Sequence, residues 1–226
     1  MRKLYPLLSV LFLIYWGCEN YQDTTPTEVT LWGEVYSVEN TTELDLGHNG
    51  LTGSIPSEIG NLTNLTKLIL EGNQLSGSIP PEIWNMTNLT YLDLSGNNND
   101  LSNGLSGSIP PEIWNMTNLI SLNLSDNQLT GYIYSEIGNL TNLTELRLDY
   151  NQLTGSIPSE IVNLTNLEWL TLNNNQLTDT IPNKICNFDI NWSSSTYFRI
   201  FNNQLCPPYP SCIEDYVGEQ DTSDCP

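Results

Sequence analysis

The chain has 226 residues, 26 of them acidic and only six basic, for a formal net charge of −20 at pH 7. That balance excludes nucleic acid and anionic membrane surfaces as partners, because both carry the same sign of charge. A single histidine, His48, excludes histidine-rich zinc sites and leaves any triad-type hydrolase dependent on one residue.

Residues 1–18 read as a signal peptide. Arg2 and Lys3 give a basic start, and the apolar run from Leu4 to Trp16 is too short for a comfortable membrane span. Gly17-Cys18 follows directly, as at a bacterial lipoprotein cleavage site, so Cys18 is the expected lipidation point. Tyr15 and Trp16 fit the usual sequence before such a cysteine poorly. The lipid would be the only membrane contact, on a secreted or cell-surface protein. Setting Cys18 aside leaves Cys186, Cys206, Cys212 and Cys225, enough for two disulfides. Two pairings stay open: Cys186–Cys206 with Cys212–Cys225, or Cys206–Cys212 with Cys186–Cys225. Residues 19–28 form a short flexible tether without apolar pattern. Residues 29–40 read as an N-terminal cap: Val35 and Val38 fall one repeat before Ile59 and Leu62, so a partial coil is expected there.

Residues 41–205 repeat every 24 residues, with units starting at Thr41, Leu65, Leu89, Leu119, Leu143 and Leu167 and a degenerate one near Ser195. The Leu89 unit carries six extra residues after Asn97, and the Leu167 unit about four between Asp189 and Ser194. Residues 75–89 are identical to residues 105–119, which points to duplication within the array. In the Leu65 unit, Leu68 and Leu70 alternate with Lys67, Ile69 and Glu71, so a short strand runs there with the leucines inward. Strands of successive units stack in parallel about 4.8 Å apart. Gly77-Ser78-Ile79-Pro80 rules out a long return helix, since proline fixes φ and lacks a donor. The convex side is therefore extended or 3₁₀. No coil buries its apolar face alone, so neighbours supply the stability.

Asn49, Asn73, Asn97, Asn127, Asn151, Asn175 and Asn203 share one position, three residues after the second strand leucine. A buried turn leaves backbone N–H and C=O groups without partners, and an amide side chain supplies both donor and acceptor. The column reads as a structural ladder bonded to the backbone of the next coil.

The pattern L-x-x-L-x-L-x-x-N-x-L-[TS]-G-x-I-P resembles the plant-type leucine-rich repeat of receptor-like kinase ectodomains and polygalacturonase-inhibiting proteins. The resemblance implies a curved solenoid of about seven coils plus caps, with a concave parallel β-sheet and a minor second sheet. Thr41 for leucine, Tyr134 for proline and Asp179 for glycine are single-coil departures. The stretch from Leu205 to Cys212 looks like the cysteine-bounded cap of such arrays, so residues 206–226 form a cysteine-containing C-terminal cap and acidic tail. Glu214, Asp215, Glu219, Asp221 and Asp224 in that tail fit no calcium-loop motif and read as solvated.

No catalytic constellation, metal site or cofactor motif stands out. His48 lies near Asp45 without a nucleophile, the Glu43 and Asp45 carboxylates share an acidic face, and the glycines sit in repeat turns. Asn-x-Thr sequons such as Asn61, Asn85 and Asn163 recur with the repeat. Function then falls on the solvent-facing strand positions. Arg147, Tyr150, Trp169, Tyr197, Arg199 and Phe201 gather in the C-terminal half, and exposed aromatics with arginine are the usual make-up of binding hot spots. The expectation is a binding protein for a protein, peptide or glycan. Inhibition of an extracellular glycan-degrading enzyme is the alternative, and an enzyme a distant third.

Overall fold

The computed structural model describes residues 26–97 and 104–226. The leader with Cys18, most of the tether and the insertion after Asn97 lie outside the described residues. Alternating leucines build the first strand of each coil. Glu43–Asp45, Lys67–Ile69, Tyr91–Asp93, Ser121–Asn123, Glu145–Arg147, Trp169–Thr171 and Phe198–Arg199 form one seven-stranded parallel sheet in chain order. The register puts Leu44, Leu68, Leu92, Leu122, Leu146, Leu170 and Phe198 in one inward column, and all seven are buried.

The L-[TS]-G-x segments build the second sheet. Gly77–Ser78, Leu105–Ser108, Gln128–Tyr132, Gln152–Ser156, Gln176–Thr180 and Gln204–Cys206 pair in parallel, while Thr52–Gly53 pairs with Gln74–Leu75 apart. The glycine of each segment turns the chain at positive φ, and Asp179 takes the same left-handed conformation at φ 66°. Aspartate tolerates that region better than most residues, so the departure costs the coil little. Among the described residues, six 3₁₀ helices close the convex side, each entered from a proline, or from Tyr134 in the fourth. Isoleucine from each helix and leucine from each sheet interlock into one continuous core.

The asparagine column is buried from Asn73 to Asn203. Its amides reach back, not forward as the sequence reading had it. Asn127 Nδ2 donates to the Leu94 carbonyl of the preceding coil at 2.9 Å and to its own Leu124 carbonyl at 3.2 Å, while Oδ1 accepts from Leu105 N–H at 3.2 Å. The other rungs repeat this geometry. Asn49 departs from the expectation. It is exposed, and its amide donates only to Gly47 of its own coil, because no coil stands behind it to reach. A second, exposed ladder accompanies the first. Asn64, Asn88, Asn118, Asn142 and Asn166 each donate from Nδ2 to a carbonyl of the coil before, the last to Thr141 at 2.8 Å.

Both ends differ from the sequence reading. The N-terminal cap is not a partial coil but an antiparallel hairpin, Glu28–Leu31 with Glu34–Ser37. Trp32 and Gly33, at φ 47° and 91°, make the two-residue turn that such hairpins require. Strand alternation then decides burial: Val29 and Leu31 face the core, while Val35 is 60% exposed. Val38 still packs on the core after the hairpin. At the C-terminus the disulfides are Cys186–Cys212 and Cys206–Cys225, so neither expected pairing forms. The reason is the path of the tail, which does not hang free but lies down as one more rung. Gln220 Nε2 donates to Ile200 and Val217 carbonyls at 3.0 and 2.8 Å, and Gln220 Oε1 accepts from Leu205 N–H at 3.3 Å. Val217 is buried, in the place of a strand leucine. Asn202 N–H to Glu219 and Asp221 N–H to Asn203 complete the pairing.

Candidate functional site

Strand alternation that buries the leucines turns the residues between them onto the concave face. At its N-terminal end this face is acidic, with Glu43 and Asp45 exposed. His48 lies beside them and pairs with Glu71 at 3.3 Å, both side chains well exposed. The middle is a closed polar network. Asp93 accepts from Ser95 and from Asn123 Nδ2 at 2.9 Å, and Ser125 donates to Asn123 Oδ1 at 2.8 Å. These side chains satisfy one another.

The C-terminal half is different. The Arg147 guanidinium carbon stands 4.9 Å from the centroid of the Trp169 ring, and Trp169 meets Tyr197 edge to face at 5.1 Å. Arg147 also pairs with Glu145 at 3.6 Å. Three of the six expected binding residues thus form one stack across adjacent coils. The other three stand around it. Arg199 turns back, donating from Nε to the Ser195 carbonyl. Tyr150 is 46% exposed at the turn after its strand, at φ 53°. Phe201 is half-buried and lies against Gly218 of the tail, where an added Cβ would come within 2.5 Å of Phe201 Cβ. It borders the cap more than the stack.

Hydrogen-bonding capacity also concentrates here. Among the described residues, seven buried side-chain polar atoms lack a partner, and five belong to Arg147 Nε, Trp169 Nε1, Asn173 Nδ2 and Oδ1, and Asn174 Nδ2. Native interiors pair such atoms, so a cluster of them on one face marks a place of special chemistry. Four of the five are donors, each with almost no surface of its own open to solvent. Asp126 lies in the same field. Burial, then the Asp149 charge, hold its carboxyl above the ordinary value of 3.8 against the opposing pull of Arg147 and Arg199. Asp149 itself is buried and accepts from Thr171 Oγ1.

Leucine-rich repeat models match residues 39–98 and, one after another, residues 88–116, 118–140, 142–164 and 166–188. The ectodomain of the Arabidopsis thaliana receptor kinase GASSHO1/SCHENGEN3, solved with CASPARIAN STRIP INTEGRITY FACTOR 2, is 37% identical over 80% of this chain, with a TM-score of 0.69. The chain belongs to the plant-type leucine-rich repeat family.

Two further repeat ectodomains are similar. The Arabidopsis receptor kinase HAESA, in complex with the peptide hormone IDA and the co-receptor SERK1, is 35% identical over 72% of the chain at a TM-score of 0.63. The plant peptide hormone receptor RGFR1, with RGF2, is 38% identical over 72% at 0.56. This repeat protein spans only 21%, 26% and 28% of those three chains. No curated protein sequence matches it. Within this family's repeat the sequence reading found Trp169 and Tyr197, because they are large aromatics at solvent-facing strand positions near Arg147. It missed Asn173, whose Asn-Asn-Asn run with Asn174 and ladder residue Asn175 hides different roles in one letter.

Proposed function

We propose that this leucine-rich repeat protein is an extracellular recognition module that holds a peptide or a protein segment on the C-terminal half of its concave sheet. Trp169 is the anchor. Arg147 stacks on one side of it and Tyr197 on the other. The observation that carries the reading is the stack itself, with Arg147 4.9 Å from the centroid of the Trp169 ring and Tyr197 edge to face with that ring at 5.1 Å. Aromatics beside arginine supply contact area at low entropic cost. Peptide hormones in the complexes of HAESA and RGFR1 support the ligand class. We assign the protein no catalytic role. The two disulfides and the receptor ectodomains favour an extracellular setting. Anchoring through a lipid on Cys18 belongs to the same proposal, and mass spectrometry of membrane-extracted protein tests it.

A peptide display library selected on the full chain tests the binding site. Trp169→Ala should weaken selected peptides by about 30-fold or more, as truncation of a hot spot does. Glu43→Ala at the acidic end should leave their affinity unchanged. Peptides that bind both variants like the parent would move the site to another face.

A further inference from the structure

The second sheet has a singular coil. Six coils place a residue at the outward position before the isoleucine, and five of them carry a hydroxyl: Ser54, Ser78, Ser108, Ser156 and Thr180. The fourth carries Tyr132. Two residues on, five coils carry proline, at Pro56, Pro80, Pro110, Pro158 and Pro182, and the fourth carries Tyr134. Repeats within one chain are mutual controls, since each coil solves the same folding problem. Neither tyrosine is needed to make a coil. Tyr134 costs its coil nothing visible, because its backbone stays extended and the 3₁₀ helix still follows.

The two rings meet edge to face at 6.1 Å. Tyr132 is 54% exposed, and its ring lies across Gly155 of the next coil, where an added Cβ would stand 2.7 Å from Tyr132 Cδ1. Tyr134 packs against the core and props it from the side. The result is an exposed ring held in place at its edge. Thr154 pairs with Tyr132 in register, and Ser108, Gln152, Ser156 and Gln176 occupy the neighbouring strands, so the strands beside it carry hydroxyls and amides. No other exposed large apolar side chain belongs to this sheet among the described residues. A protein contact needs a wider apolar centre than one ring. The 3₁₀ helix that follows carries a carboxylate in its first turn in five of the six coils, at Glu58, Glu82, Glu112, Glu136 and Glu160.

We infer that Tyr132 is the stacking platform of a second binding site, on the convex side, for a neutral polysaccharide. A pyranose ring offers a face of C–H groups to the negative face of an aromatic ring. Its hydroxyls then find Ser, Thr and Gln partners on either side. The glutamate column accepts further hydroxyl hydrogen bonds and repels polyanionic chains, so the selected sugar is uncharged. The coil spacing of about 4.8 Å gives a glycan lying across the coils a repeating set of partners. This site is separate from the concave one and stands or falls without it.

Native gels cast with soluble polysaccharides test it on the full chain. Xyloglucan, galactomannan, laminarin and hydroxyethyl cellulose are the neutral probes, with polygalacturonate and alginate as charged ones. At least one neutral polymer should retard the protein, and neither polyanion should. Tyr132→Ser restores the residue of the other coils and so keeps the fold; it should weaken retardation at least tenfold. Tyr132→Phe and Trp169→Ala should both be retarded like the parent. Free migration in all four neutral gels overturns the inference, as does equal retardation of Tyr132→Ser. Loss of retardation in Trp169→Ala would place the glycan on the concave face instead. A self-association lost in Tyr132→Ser, seen by sedimentation, would assign the ring to protein contact and overturn it as well.

Discussion

Gln220 Nε2 donates to the Ile200 carbonyl at 3.0 Å, the same bond that each buried ladder asparagine makes to the coil before it. A glutamine from the tail therefore closes the ladder where the asparagines end. Gln220→Ala would leave the Leu205 N–H and the Val217 carbonyl without this partner, at roughly 1–3 kcal/mol for each buried group, while Ile200 keeps the Asn203 amide. Amide exchange at Leu205 should accelerate by tenfold or more, while exchange in the first coils stays as it is. Unchanged protection at Leu205 would show that the rung contributes nothing.

Asn127→Leu tests the ladder at its centre. It strands Leu105 N–H, while the Leu94 and Leu124 carbonyls keep the amides of Asn97 and Asn151, so a loss of about 1–3 kcal/mol is expected. Asn64→Ala removes a single exposed bond to Glu39 and should cost less than about 0.5 kcal/mol. Thermal melts of the two variants should differ widely, and equal melting temperatures would contradict the burial argument.

The Cys206–Cys225 disulfide ties the tail over the last coil across a separation of 19 residues. A Cys206→Ser/Cys225→Ser double variant should lose about 3 kcal/mol, the order expected for closing a loop of this size. The loss should appear first as proteolysis near the tail, with the first five coils still protected, because repeat arrays lose their ends first. Cleavage spread evenly along the chain would argue against a local clamp.

Asp126 gives a pH signature. A carboxyl pushed up by folding holds its proton more tightly in the folded chain, so ionising it at neutral pH costs stability. Below the ordinary value of 3.8 it is protonated in both states and the cost disappears. Asp126→Asn should therefore melt higher than the parent at pH 7, with the gap closing as the pH falls below about 4. A gap that widens in acid would reverse the assignment.

The repeat made the solenoid legible, because a 24-residue period with alternating leucines admits few structures. Trp169 and Tyr197 were legible for the opposite reason, as large aromatics at positions that the period leaves free and turns to solvent. What stayed hidden depends on partners far along the chain. Val35 sits at a leucine-like spacing, yet the Trp32-Gly33 turn sends the strand back and faces it to solvent. Gln220 lies outside any repeat spacing, and only the returning tail gives it an asparagine's work. The cysteine pairing follows that same return, which brings Cys225 to Cys206 and leaves Cys212 for Cys186. Asn64 and its column did recur every unit, but they read as plain surface, three residues after the sequon asparagines such as Asn61, because their partner carbonyls lie in the coil before.

The backward reach of the asparagines gives the fold a direction in time. A ribosome delivers the N-terminal hairpin first, and each later coil arrives carrying the amide that satisfies its predecessor's turn. A nascent chain of any length thus has its turns satisfied except at its growing edge. There the last coil also bares its apolar face and the edges of both sheets until the next coil arrives, and after the last coil Val217 and Gln220 cover them. Duplication or deletion of whole coils, as residues 75–89 and 105–119 record, then changes the length of the protein without disturbing how it is finished.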